Sequence, residues 1–286
     1  MAKGNILDWL GFDIDFTNKT VSLSSIKAEK IKIKIQNIMK AYIVRRKDLE
    51  SFIGTLAWVS LVFILARPYL QRLYALFYSN KRNWIRISLN IKRDLEMWSK
   101  IIANAQLVCP SIFVRKHHTV IYTDASILGL GGWISDPYKS LQDSIYFFVE
   151  IEENFTNKLF EKIMNNTKKT NKNTIAILEA LAIGLGLHTW YQYYGMDEQV
   201  VIQVYSDNEA SVKIMKKWYA KKEPIATILR KLVLEASTKG YWPALEYINT
   251  KNNYIADAIS RGEYKYYFKN EPIKYTLKQI NKYCKF

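Results

Sequence analysis

Apolar and polar positions change rhythm along the chain, and the changes divide it. Near the start, "LDWLGFDIDFTNKTVSLS" carries two alternating runs on either side of Thr17, Asn18 and Lys19, which predicts a β-hairpin. From Ser24 or Ser25, either able to cap a helix, Ile31, Ile35, Ile38, Met39 and Tyr42 recur on one helical face, with Lys30, Lys32, Lys34 and Lys40 mostly elsewhere. The stretch "RRKDLESFIGTLAWVSLVFILA" predicts a second helix through Leu49, Phe52, Ile53, Leu56 and Val59, interrupted at Arg67-Pro68, after which "PYLQRLYALFYS" resumes the helical period. A further helix opens at Ser88, carries Ile91, Leu95, Trp98 and Ile102, and runs to a boundary near "VCPS" at residues 108 to 111.

From about His118 a period of two takes over. "TVIYTD", "GLGGWIS" and "IYFFVEI" predict three strands separated by short turns, the pattern of an antiparallel meander. The polar stretch "EENFTNKLFEKIMNNTKKTNKN" reads as an exposed insertion. Helix and strand then alternate: "TIAILEALAIGLGLHTWYQYY", the strand "QVVIQVYSD", a helix from near Asn208, and "PIATILRKLVLEASTKG" with Pro224 in its first turn and Gly240 at its end. "PALEYIN" gives a last strand and "NYIADAIS" a last short helix, so this half is α/β. The organisation expected is a hairpin plus helices over 1–108, an α/β domain over 112–265, and a basic, aromatic tail over 266–286.

Composition adds a partner class. The 286 residues carry a formal net charge of +16, an excess of cations that favours a polyanion, nucleic acid first. Only Cys109 and Cys284 occur, too few for a disulfide framework and without metal-ligand spacing, as suits an intracellular protein of nucleus, cytoplasm or organelle. The longest apolar run, Leu56 to Ala66, is shorter than the ~20 residues a membrane helix needs, so no membrane association is expected.

Four acids interrupt apolar surroundings. Asp124 and Asp207 close the strands "VIYTD" and "IQVYSD", and the carboxyl ends of strands in a mixed α/β sheet are where ligands gather. Glu179 sits within the apolar helix "IAILEALAIG", and Asp257 within "YIADAIS". Converging without local lysine or arginine, such carboxylates would repel and raise one another's pKa unless divalent cations lay between them. Oxygen-only ligands suit Mg²⁺ or Mn²⁺, and two such ions can drive phosphodiester cleavage. Read one by one, the same acids could cap turns and helices or pair with lysine.

The segments "YTDAS…GLGGW", "ILEALAI", "VYSDNEASV" and "YINTKNNYIADAISR" resemble, in order and spacing, the four acidic motifs of RNase H. The last of these, with Asn253, Ala256, Asp257, Ala258, Ser260 and Arg261, is most similar to RNase H domains of retrotransposon reverse transcriptases of DIRS-like and gypsy-like type. Upstream, "LGFDIDFTNKTVSLSSIKAEKI" and "LESFIGTLAWVS…ARPYLQRLYAL" look like the end of a polymerase palm followed by thumb and connection. The resemblance implies an RNase H-like five-stranded mixed sheet flanked by helices, preceded by a mainly helical thumb and connection region. It makes Asp124, Glu179, Asp207 and Asp257 catalytic ligands of two Mg²⁺ or Mn²⁺ ions, and the reaction hydrolysis of the RNA strand of an RNA/DNA hybrid. Ser126 and Asn208, beside two of the acids, become polar contacts to the hybrid, with a turn or a helix cap as their structural alternative. Lys30, Lys34, Arg45, Arg46 and Lys47, beside the thumb-like helices, become phosphate contacts. Aromatics at helical spacing, Trp58, Tyr69, Tyr74 and Trp98, read first as core.

Two departures qualify the resemblance. Many cellular RNase H enzymes carry a histidine ten residues before the last aspartate, where this chain has Tyr247, which implies a slower enzyme. No "Y-x-D-D"-type polymerase motif occurs, so DNA synthesis is not expected, and a palm-containing or ribonucleoprotein partner becomes a candidate. Beside the ribonuclease stand two other readings: a non-catalytic RNase H fold that grips structured RNA inside a ribonucleoprotein, and a nuclease of the same fold acting on DNA.

Overall fold

Alternation at the N terminus builds more than one hairpin. In the computed structural model, which describes residues 6–17, 20–103, 115–151, 172–195, 200–221, 223–276 and 279–280, strands β1 (Ile6–Trp9), β2 (Phe12–Asp15) and β3 (Thr20–Leu23) form an antiparallel sheet in that order. The additional turn falls at Leu10 and Gly11, both at positive φ (55° and 86°), the backbone region glycine enters without steric penalty. Chain contacts divide the molecule into two units, Met1–Phe113 and Val114–Phe286.

In the first unit, helix α1 (Ser25–Lys40) buries Ile31 and Ile35 as its period requires. Tyr42, expected on that face, is instead 61% exposed, because the helix stops at Ala41 and the chain turns into β4 (Ile43–Arg45). Strand β4 pairs with β5 (Trp84–Arg86); at three residues each, they are too short for alternation to reveal. Helix α2 (Arg46–Val59) buries Leu49, Phe52, Ile53, Leu56 and Val59 but does not continue to Arg67. The Ser60 hydroxyl donates to the Ala57 carbonyl at 2.7 Å, the amides of Leu61 and Val62 close shorter turns, and a 3₁₀ helix over Ile64–Leu70 accommodates Pro68. Helices α3 (Gln71–Ser79) and α4 (Leu89–Ala103) follow, the latter burying Ile91, Leu95, Trp98 and Ile102. Of the four aromatics assigned to the core, Trp98 and Tyr69 are buried, while Trp58 and Tyr74 are half-buried.

In the second unit, β6 (Arg115–Ala125), β7 (Gly129–Ser135) and β8 (Ile145–Glu150) form the expected meander, and β9 (Val200–Ser206) and β10 (Tyr241–Tyr247) add parallel to β6. The sheet order is β10-β9-β6-β7-β8. On β6 and β9 the alternate residues Thr119, Ile121, Thr123 and Val200, Ile202, Val204, Ser206 are buried, which defines one face. Helix α5 (Lys172–Tyr194) lies against that face on β6 and β7, and α6 (Glu209–Lys217) and α7 (Ile225–Lys239) pack beside it. Because it is apolar on nearly every side, α5 can be covered by the sheet and both helices at once. The short α8 (Tyr254–Ser260) covers β7 and β6 from the opposite side. Pro243, which lacks an amide proton, stands on the edge strand β10. The insertion expected after Ile151 falls mostly on residues outside those described.

The segment set apart as a tail at residue 266 is tied, in its described part, to edge strand β8. Phe268 stacks on Tyr146 with centroids 4.0 Å apart, the Ile273 amide donates to the Tyr146 carbonyl at 3.0 Å, and Tyr275 reaches the Thr189 hydroxyl. An otherwise open edge is thereby covered.

Candidate metal centre

Parallel pairing of β6 with β9 brings the ends of both strands to the same edge of the sheet. Asp124 is the penultimate residue of β6, and Asp207 follows the last residue of β9. Helix α5 crosses behind them and presents Glu179, 2% exposed. One carboxylate oxygen from each of Asp124, Glu179 and Asp207 lies within 4.8 Å of the others; among the described residues this is the one cluster of three such ligands. Glu179 is fixed from both sides, its Oε1 accepting from the Ala125 amide at 3.3 Å and its Oε2 from the Ser206 hydroxyl at 2.9 Å. Asp124 accepts a 2.6 Å bond at Oδ2 from the hydroxyl of Ser260 on α8.

Burial above all, then the charges of Asp207 and Asp257, push the Asp124 carboxyl up to about 7, with the Ser260 hydroxyl acting the other way. Glu179 is raised well above the usual carboxylate range, first by burial and then by Asp124 and Asp207, and the bonds from Ser206 and Ala125 only partly offset this. Carboxylates that raise one another's pKa in this way are stabilised by a divalent cation, and an all-oxygen set suits a hard one such as Mg²⁺ or Mn²⁺. The residues present therefore fit the ions expected of them.

The expected fourth ligand stands apart. Asp257, near the middle of α8, is outside the cluster of three, and its Oδ1 accepts from both Nε and Nη2 of Arg261 at 3.0 and 2.9 Å. Around it, the two ends of α8 are fastened to the end of β6 and the residue after it at two points besides the Ser260 hydroxyl. The Asn253 amide donates to the Thr123 carbonyl at 3.1 Å, and the Ser126 hydroxyl donates to the Ser260 carbonyl at 2.7 Å. Gly129 and Gly131 let the helix come this close, since a Cβ on Gly131 would lie 2.5 Å from the Ser260 nitrogen.

The sheet order, with β9 and β10 parallel to β6 and β7 antiparallel between β6 and β8, decides the fold. The second unit is an RNase H-like domain. Comparison with solved structures returns RNase H1 from the halophilic archaeon Halobacterium salinarum, at 14% identity and a TM-score of 0.34, over 51% of this chain and 97% of that one. It also returns the foamy viral protease-reverse transcriptase in complex with double-stranded DNA, at 20% identity and a TM-score of 0.29, over 86% of this chain and 45% of that one. The same viral protein in complex with an RNA/DNA hybrid gives 20% identity and a TM-score of 0.28 over 86% and 29%. This chain thus spans less than half of the viral chain. No protein-family model matches the chain, and no curated protein does. Among the described residues no helix is long and apolar enough to cross a membrane.

Of the other expected site residues, two serve the RNase H-like domain's own turns. Ser126 is buried, and besides its bond to Ser260 it accepts from the Leu128 and Gly129 amides at 3.0 and 3.1 Å. Asn208 caps α6 by accepting from the Ser211 amide at 2.9 Å. In the first unit, Lys30 and Lys34 line a groove of about 780 Å³ between α1 and α2, together with Lys27, Gly54 and Trp58, and Lys27 Nζ lies 5.0 Å from the centre of the Trp58 ring. Lys47 is exposed, Arg45 is paired with Asp48 at 2.8 Å, and Arg46 is held by the carbonyls of Phe77 and Asn80 and by the Phe77 ring. Residue reading gave no role to Ser206, Asn253, Ser260 or Arg261. The signal available was the polar pair "SR" directly after an apolar helical turn.

Proposed function

We infer that the RNase H-like domain is a metal-dependent ribonuclease that cleaves the RNA strand of RNA/DNA hybrids, in a chain derived from or belonging to a retroelement reverse transcriptase. The observation that carries this reading is the cluster of Asp124, Glu179 and Asp207, with oxygens within 4.8 Å and two carboxyls raised by burial and mutual charge. Buried acids that raise one another's pKa are costly to keep ionised, and a divalent cation between them offsets that cost. Asp124, Glu179 and Asp207 would hold Mg²⁺ or Mn²⁺, with Asp257 one helical turn from Ser260. Bound there, two such ions would supply an activated water and charge stabilisation for the leaving oxygen.

The remaining parts belong to the chain itself. Ser206 and the Ala125 amide orient Glu179, Ser260 orients Asp124, and the half-exposed Asp207 stands at the open side, where a phosphodiester would enter. Tyr247, 49% exposed at the end of β10, stands ten residues before Asp257, the spacing at which many cellular RNase H enzymes carry a histidine, and on this reading the enzyme is correspondingly slow. The lysine-lined groove in the first unit gives a phosphate track with an aromatic face beside it, consistent with the excess of positive charge.

The deciding experiment is cleavage of a labelled RNA/DNA hybrid in Mg²⁺, in Mn²⁺ and in chelator, with duplex RNA and duplex DNA as controls. Metal-dependent cutting of the RNA in the hybrid alone is expected. Asp124→Asn should abolish it, at least a thousandfold, and leave hybrid binding intact. No cutting of any substrate, with tight, salt-sensitive RNA binding, would replace this reading with that of a non-catalytic grip.

A further inference from the structure

The segment "YKYYFK", Tyr264 to Lys269, sets aromatic rings among cations just beyond α8, and its rings go two ways. Phe268 is buried on Tyr146, and Tyr264 packs beside them. The backbone here is fastened: the Tyr267 amide donates to the Tyr264 carbonyl at 3.0 Å, the Lys269 amide to the Gln142 carbonyl at 3.1 Å, and the Tyr146 hydroxyl to the Asn270 carbonyl at 2.6 Å. Tyr266, on this fastened stretch, is nevertheless 90% exposed. Tyr267 joins it to α8, its ring centre 5.5 Å from that of Tyr266 and 6.2 Å from that of Tyr254, which is itself 55% exposed at the start of the helix. Exposed lysines flank the rings along the chain, Lys251 before Tyr254, Lys265 beside Tyr266 and Lys269 after Phe268, with Glu263 and Glu271 as the acids of the segment.

A lone exposed tyrosine is ordinary on a protein surface, whereas connected rings held in water among cations form a surface with a chemistry of its own. Bases in a duplex are stacked on one another and closed to such rings. Bases of an unpaired strand are open, and each can stack on an aromatic side chain while its phosphate meets a lysine. The place also fits, since Tyr254 and the Ser260 that binds Asp124 are opposite ends of one helix, about 9 Å apart along its axis.

We propose that Tyr254, Tyr266 and Tyr267, with Lys251, Lys265 and Lys269, form a stacking platform for an unpaired nucleic-acid strand that continues from the duplex at the metal centre. The inference builds on the reading of that centre as one that acts on nucleic acid, and its test is independent of cleavage. The ligand is a run of unpaired bases on a phosphate backbone, of RNA or of DNA.

The test is the affinity of the full chain for a labelled RNA/DNA hybrid, measured by fluorescence anisotropy in chelator. The hybrid is blunt, or is extended at each end in turn by about eight unpaired ribonucleotides, deoxyribonucleotides or abasic sites. Wild type should bind a base-bearing extension at least fivefold more tightly than the blunt hybrid, and the abasic one no more than twofold more tightly. A gain confined to the RNA or to the DNA extension identifies the strand. Tyr254→Ala with Tyr266→Ala should abolish the gain and leave blunt-hybrid affinity unchanged, and Tyr266→Phe, which keeps the ring, should keep it. Tyr266→Ala alone is the readout if the double variant does not fold. Lys265→Ala with Lys269→Ala should lower the salt slope for the extended hybrid by about 1.4. No gain from any extension in wild type, an equal gain from the abasic strand, or a gain that survives loss of the tyrosines overturns the inference, whether or not the hybrid is cut. The expected gain without cutting in Mg²⁺ or Mn²⁺ supports the platform and overturns the ribonuclease reading alone.

Discussion

Gly131→Ala tests the closeness of α8 to the sheet, on which the site depends. Nothing in the Gly131 backbone forbids an L side chain, so the cost is one of packing. A Cβ there would stand 2.5 Å from the Ser260 nitrogen and 2.8 Å from the Ile259 carbonyl carbon, both backbone atoms that no rotamer change can move. Ordinary contact requires the end of α8 to retreat by about 1 Å, a distance that stretches the 2.6 Å bond from Ser260 to Asp124 beyond hydrogen-bonding range. Overpacking of this kind costs about 1–3 kcal/mol, and losing a hydrogen bond to a carboxylate places the sum toward the upper end. For a domain of this size that is a fall in melting temperature of about 5–10 °C. Gly54→Ala is the matched control. On α2 its Cβ would meet nothing within 4 Å, and replacing a helical glycine should stabilise by about 0.5–1 kcal/mol. Differential scanning calorimetry of both variants, with Mn²⁺ affinity measured alongside, should give opposite signs for stability and a weakened ion only for Gly131→Ala. A Gly131 variant as stable and as metal-avid as wild type would refute the claim that α8 is held to Asp124 by close approach.

The metal-free RNase H-like domain should lose stability as pH rises through about 7: Asp124 has a folded pKa raised from 3.8 to about 7, so its contribution is full at low pH and is lost above that value. Melting temperature in chelator should fall between pH 6 and pH 8 and be restored by Mg²⁺ most strongly at pH 8, and a flat profile would refute this. On the acid side the buried His117 acts in reverse, its pKa lowered chiefly by burial and its Nδ1 accepting from the Thr119 amide at 3.2 Å, so stability should also decline as pH falls below 6.5. Lys30→Glu with Lys34→Glu should weaken hybrid binding at least tenfold and lower the slope of log affinity against log salt by about 2, without a change in melting temperature. Arg46→Ala should instead destabilise by about 2 kcal/mol through two orphaned carbonyls, and a pure binding defect would contradict the contacts seen.

Long periodic segments were legible because burial enforces periodicity. The alternation of Thr119, Ile121 and Thr123 fixed which face α5 would cover, and Leu49, Phe52 and Leu56 marked the buried side of α2 from residue types alone. What failed did so where local geometry outweighs pattern. Strands β4 and β5 are shorter than one period of evidence, Tyr42 lies one residue past a helix end, and α2 ends at a serine whose hydroxyl competes for backbone acceptors within an unbroken apolar run.

In the site, residue types revealed which chemistry could occur, while distances settled which residues share it. Asp124 and Asp207 converge because two parallel strands must end at the same edge, a consequence of topology that strand-end acids announce in advance. Asp257 differs, since it stands within a short helix, not at a strand end, and pairs with a side chain one helical turn away. The same letters "ADAISR" describe an aspartate that joins three others or one that lies outside their cluster and pairs with an arginine. Ser126 illustrates the converse. Its neighbourhood to an acid suggested a contact to substrate, but three hydrogen bonds within the fold engage its hydroxyl. A polar residue beside an acidic centre is therefore informative only once its hydrogen-bonding capacity has been counted, and here that count, one bond donated and two accepted, assigns the Ser126 hydroxyl to the scaffold.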